Sequence, residues 1–209
     1  MTSLARMALA TTAGLALAAT GGALASAQGP AAGSAARRAR QGALANVSAS
    51  LFLPTRASRQ IDTVYLDLVA GVELWELLGV DLYAGITVVA ASGFVLQPDE
   101  LLADRRYDTS VAGAGPTFLF RVEPLRIEGL SVAADVTGSL LLFSARFPPG
   151  GDVYDFAWRI GGTLGYALTA ALRVELSVRW MHTSNGQGIG PFNPAFEGVG
   201  GYLGTQTTL

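Results

Sequence analysis

The sequence holds one histidine, His182, and it stands two residues before a serine, Ser184. A serine hydroxyl becomes a nucleophile when a base lies in hydrogen-bond reach and a third group orients that base. In a β-strand, residues i and i+2 point to the same face, about 6–7 Å apart along the chain. Side chains that lean towards each other close that gap. His-x-Ser on a strand can therefore supply base and nucleophile. An acid, Glu197, follows at the far side of the next loop. Between them lie Asn185, Gly186 and Asn193, whose side-chain amides or backbone N–H groups can receive an oxyanion. Glycines at 186, 188 and 190 allow close backbone approach, but they are no nucleotide fingerprint, because no strand–turn–helix context follows. Taken singly, each residue has a plainer reading. A lone strand-end histidine is usually interfacial, Glu197 suits a solvated loop, and Asn193-Pro194 suits a turn. The elements that position them must decide.

Composition narrows the chemistry. The chain has 209 residues and no cysteine, so neither disulfides nor thiolates are available. Half of it is hydrophobic, 14% is charged, and the net charge is −2. That balance excludes a disordered chain and a nucleic-acid binder. One histidine without cysteine leaves only a carboxylate and carbonyl site of the calcium type. No metal or organic cofactor is expected.

The N-terminus reads as an export signal. Met1 to Arg6 is positive, Met7 to Leu24 is rich in Ala and Leu, and Ala25-Ser26-Ala27 forms an A-x-A cleavage site. Residues 1–27 are assigned to a signal peptide and 28–42 to a linker. Arg37, Arg38 and Arg40 form a solvated tail there that can also touch anionic headgroups. Residues 43–209 form one domain.

From Leu44 onward the apolar pattern has period two. Val64, Leu66, Leu68, Ala70, Val72 and Leu74 alternate with Thr63, Tyr65, Asp67 and Glu73. Similar alternation recurs over 80–90, 117–122, 131–142, 154–168 and 173–180. These are strands with one apolar face and one polar or small face. Several reach the ~9–11 residues that a tilted membrane-spanning strand needs. A first strand near Ala43–Leu53 and a last near Gly198–Leu209 bring the expected number to eight.

With the N-terminus periplasmic, the outward connections are Pro54–Ile61, Ser92–Thr109, Ser144–Asp152 and Asn185–Glu197. The inward ones are Trp75–Gly79, Glu123–Gly129 and Thr169–Ala171. The outward set is longer throughout, as in outer-membrane barrels. The polar faces pair Asp67, Glu73, Asp81, Asp135, Asp155 and Glu175 with Arg121, Arg159, Arg173 and Arg179. Such a charge network fills a narrow eight-stranded lumen and leaves no open channel. Tyr154, Trp158 and Trp180 on the opposite faces suit an interfacial girdle. The expected fold is thus an all-β, eight-stranded antiparallel transmembrane barrel of the bacterial outer membrane. A soluble lipocalin-like barrel fits the period but would need the aromatic face inside.

On the strand before the site, Val174, Leu176, Val178 and Trp180 face lipid, and His182 and Ser184 share their parity. The pair therefore projects towards the outer leaflet, where the lipid is lipopolysaccharide. In this reading Ser184 attacks an acyl ester, His182 shuttles the proton, and Glu197 orients His182 from the start of the last strand.

The run Arg179-Trp-x-His182-x-Ser184-Asn185-Gly186, followed by Asn193-Pro194, an acid and a final strand, resembles the C-terminal signature of the lipid A 3-O-deacylase (PagL) family. The resemblance covers about 25 residues. It implies an eight-stranded outer-membrane barrel that hydrolyses the ester-linked acyl chain at position 3 of lipid A. It further implies His182 as base, Ser184 as nucleophile, Glu197 as third member, and Asn185 and Asn193 near the oxyanion. The expected partners are lipid A and the surrounding membrane, not nucleic acid, and homodimerisation is left open. Arg105, Arg106 and Arg146 on outward loops suit either lipid A phosphates or plain solvation. A non-enzymatic structural or adhesive barrel is the rival reading.

Overall fold

The computed structural model describes residues 43–98, 104–186 and 195–209. The expected signal peptide and linker lie outside these residues, as does Asn193. The described chain forms β1 (Leu44–Pro54), β2 (Arg59–Trp75), β3 (Val80–Pro98), β4 (Asp104–Ile127), β5 (Leu130–Phe147), β6 (Asp152–Ala167), β7 (Leu172–Ser184) and β8 (Phe196–Thr208). Each strand pairs antiparallel with the next, and β8 returns to β1 to close the barrel. Closure leaves no unpaired sheet edge. A chain without disulfides thus satisfies its backbone by strand pairing alone. The start of β1 and the end of β8 lie on one rim, here called the lower rim. The β1–β2, β3–β4, β5–β6 and β7–β8 connections lie on the upper rim.

The alternation sorts side chains as read from the sequence. Along β2, Ile61, Thr63, Tyr65, Asp67 and Val69 are buried, whereas Leu68, Val72 and Leu74 are exposed. On β7, Glu175, Ser177 and Arg179 are buried, while Leu176 and Val178 are among the most exposed residues of the barrel wall. Apolar side chains outside and arginines inside are the reverse of a water-soluble barrel. Lipid is the solvent that fits this arrangement. Outward aromatics gather near each rim: Phe156, Trp158 and Trp180 above, Trp75 and Tyr166 below. From Trp158 to Tyr166 the strand, at ~3.3 Å per residue and ~40° tilt, covers roughly 20 Å. That is the scale of the ~25 Å apolar band of such barrels.

The lumen differs from expectation in its upper half. Charges fill the middle and lower parts. Arg121 grips Asp135 at 2.8 and 3.2 Å and also binds both oxygens of Glu175. Arg179 reaches Asp135 at 2.6 Å and covers the Tyr202 ring. Arg159 binds both oxygens of Asp67, at 2.7 and 3.0 Å. Above this network the inward side chains are mainly apolar. Phe52, Ile61, Tyr65, Val95, Phe143, Phe147 and Phe196 form a packed plug, with Phe147 and Phe196 edge to face at 5.2 Å. Asp155, counted with the charge network in the sequence, belongs to this upper level. Neither of its carboxylate oxygens has a hydrogen-bond partner among the described residues.

The loops also differ. Ser92–Thr109, expected as one long outward loop, is mostly strand: β3 and β4 stay paired up to Pro98 and Asp104. Above the apolar band both faces of a hairpin meet water, so the strands need no apolar alternation and lose the signal that would reveal them. Glu123–Gly129 shortens likewise to a turn at Glu128-Gly129, with φ of 47° and 88°. Two successive positive φ values mark the tight hairpin turn that suits strand twist. On the upper rim, the connection between β7 and β8 is the one that stays long.

Candidate active site

β7 carries His182 and Ser184 to the upper rim without a break in register. His182 faces Trp158 on β6 and Glu197 on β8, and Ser184 faces Phe156 on β6. Met181 just before them and Thr183 between them are fully buried. His182 and Ser184 are half-buried and keep the outward parity of Val178 and Trp180. The parity argument from the sequence therefore holds up to Ser184.

Glu197 lies inside β8, one residue from its start, and forms a direct cross-strand pair with His182. Its Oε1 stands 3.6 Å from His182 Nδ1. That is a polar contact just beyond hydrogen-bond range. In substrate-free sites such contacts are often long and tighten when substrate binds. With Nδ1 turned to Glu197, Nε2 is the nitrogen on the other side of the ring. The Trp180 ring stacks on His182, with centroids 5.8 Å apart and planes 26° from parallel. The imidazole is thus held by an aromatic face below and an acid beside it.

The oxyanion candidates separate. Asn185 is buried, with 3% exposure, directly after the half-buried Ser184. Gly186 adopts a φ of 71° and packs against the Phe156 ring. A side chain there would be strained by the backbone alone. Among the described residues, no group of three or more His, Cys, Asp or Glu side chains is placed to hold a metal ion.

Barrel closure adds residues that the sequence reading did not include. The turn between β1 and β2 lies against the start of β8. Thr55 donates its backbone N–H and its hydroxyl to the Glu197 carbonyl, at 3.2 and 3.3 Å. Arg56 donates from Nη2 to Glu197 Oε1 at 3.1 Å. Only the pairing of the first strand with the last brings residues 55 and 197 together. The stack of Trp180 on His182 was open to the i, i+2 rule that singled out Ser184. Arg105 and Arg106 stand on the extended β3–β4 hairpin. Arg106 pairs with Asp108 at 2.8 Å and covers Phe94, and Arg105 lies over Tyr107. Arg146 is exposed near the top of β5.

Two solved structures share this architecture. The outer membrane enzyme PagL superposes with a TM-score of 0.53 at 16% identity, over 78% of this chain and 99% of that one. Neisserial surface protein A (NspA) superposes with a TM-score of 0.52 at 12% identity, over 80% of this chain and 97% of that one. The chain has the fold of an outer-membrane β-barrel. No family model and no curated protein matches the sequence. At these identities the likeness concerns the fold, and the two neighbours resemble the chain to nearly the same degree.

Proposed function

We propose that this protein is an outer-membrane esterase that removes the ester-linked acyl chain at position 3 of lipid A. The observation that carries the proposal is the outward-facing cluster at the upper rim: Ser184 and His182 on one face of β7, with Glu197 across the ladder at 3.6 Å from Nδ1. A nucleophile on the lipid side of a barrel meets lipid rather than a soluble ester. At the outer-leaflet end, that lipid is lipopolysaccharide. The lower rim, with the start of β1 and the end of β8, is then periplasmic.

The chemistry follows from the atoms. His182 Nε2 takes the Ser184 proton as Oγ bonds to the acyl carbonyl carbon. Glu197 stabilises the imidazolium through Nδ1. The carbonyl oxygen gains the negative charge, with the Gly186 N–H and the amides of Asn185 and Asn193 as its candidate donors. The C–O bond to the sugar breaks, and the sugar oxygen takes the proton from Nε2. Water then repeats the sequence on the acyl-serine and releases a fatty acid. The binding partner is lipid A in the membrane. The likeness to an outer membrane enzyme of the same fold supports the reading.

Mass spectrometry of lipid A from outer membranes with and without the protein tests it. Loss of one 3-hydroxyacyl chain is expected, and it should vanish with Ser184→Ala. Unaltered lipid A in both would leave a non-enzymatic surface barrel as the reading.

A further inference from the structure

Glu197 Oε1 is shared. Arg56 holds it at 3.1 Å, and His182 Nδ1 approaches the same atom at 3.6 Å. The oxygen that would orient the base is already engaged by a guanidinium from another strand connection. We propose that Arg56 is a positioning residue of this site: it holds Glu197 by the oxygen that faces His182 and so sets how much of that carboxylate the imidazole receives. This rests on the roles proposed above for His182 and Glu197.

The turn that carries Arg56 is built to hold it in place. The Arg56 carbonyl accepts from Arg59 N–H at 3.1 Å and from Gln60 Nε2 at 2.9 Å. The neighbouring Thr55 is bonded twice to the Glu197 backbone. The guanidinium therefore approaches Glu197 from a hydrogen-bonded turn, not from a free loop. A second cation stands close by. Arg59 has its pKa lowered by burial and by the charge of Arg56, and raised by Glu197. Among the described residues, the titratable and charged groups facing the Glu197 carboxylate are thus His182 on β7, Arg56 in the turn and Arg59 at the start of β2. β6 contributes Trp158, which carries no charge. An acceptor already bonded to one cation is a weaker acceptor for the next. Its hold on Nδ1–H is reduced while Arg56 is in place.

His182 is the only histidine, so its ring nitrogens can be followed by NMR without ambiguity. The test uses 15N-histidine-labelled protein folded in detergent micelles, at a pH where the ring is neutral. Arg56→Gln should shift the ring towards the Nδ1–H tautomer, which donates to Glu197. The shift expected is about 1.5–5-fold in tautomer ratio, matching the worth of an exposed ion pair. Arg56→Lys should stay nearer the wild type. In a Glu197→Ala background, Arg56→Gln should move nothing. An unchanged tautomer ratio in Arg56→Gln overturns the proposal. So does an equal change with Glu197→Ala present, because the effect would then be the charge of Arg56 acting directly. The Arg56 side chain is half exposed, and the bonds within the turn use its carbonyl, so these variants should fold. The measurement does not depend on turnover. A barrel inactive towards lipid A could still show it, and an active esterase could still lack it.

Discussion

Glu197 Oε1 and His182 Nδ1 face each other across one rung of the β7–β8 ladder, 3.6 Å apart. Neither side chain reaches across a loop to meet the other, since both stand on paired strands. The loop between them therefore need not fold in any special way for the contact to exist. Glu197→Ala should leave a folded barrel with kcat reduced on the order of 10²–10⁴-fold, as for loss of an orienting acid elsewhere. KM should change little, because in the proposed mechanism Glu197 acts on His182 and not on the lipid. Steady-state assays on lipid A in mixed micelles check this. Near-normal kcat would remove Glu197 from the mechanism.

Ser184→Ala should lower deacylation to background while heat-modifiable migration stays normal. Ser184 is half-buried at the end of β7, so losing one hydroxyl removes no core packing. The informative comparison is with Thr183→Ala. Thr183 is adjacent but fully buried, its hydroxyl 3.5 Å from that of Tyr65. That change should cost stability and spare turnover. If both variants behave alike, the face of β7 has been misassigned.

Much of this was legible in the sequence because the bilayer imposes a period. Leu176, Val178 and Trp180 had to be apolar and outward, and that fixed His182 and Ser184 two and four residues beyond Trp180. Where the bilayer ends, the period loses its meaning. The stretch from Ser92 to Thr109 therefore looked like loop although β3 and β4 pair through it. The apolar upper lumen was hidden for a related reason. Phe143, Phe147 and Phe196 sit where no alternating polar face identifies the inside. Arg56 was out of reach altogether, because only closure of β1 on β8 brings it to Glu197.

Val178 is 68% exposed on the outer wall, four residues below His182 on the same face. Facing hydrocarbon, a charge there should cost about 2–4 kcal/mol. Val178→Lys should lower the yield of heat-resistant folded barrel in detergent and lipid. Facing water, the same change would be neutral or improve solubility. Equal stability of Val178→Lys and wild type in liposome refolding would therefore favour the soluble barrel.

The two kinds of buried acid should respond in opposite ways. Asp135 accepts from Arg121, Arg179 and Thr163. Removing it takes from Arg179 the carboxylate it is paired with and leaves Arg121 with Glu175 alone, so Asp135→Ala should cost about 3–5 kcal/mol. Asp155 is equally buried but has no hydrogen-bond partner among the described residues, and Leu141 across the strand pair and Ala157 on the same inward face are apolar. An unsatisfied buried polar group costs about 1–3 kcal/mol. Asp155→Val, which removes that group and suits a strand, should stabilise the barrel by a similar amount. Urea unfolding in lipid vesicles, followed by tryptophan fluorescence, reads both changes on one scale. If Asp155→Val destabilises the barrel as much as Asp135→Ala does, Asp155 is bonded within the barrel after all.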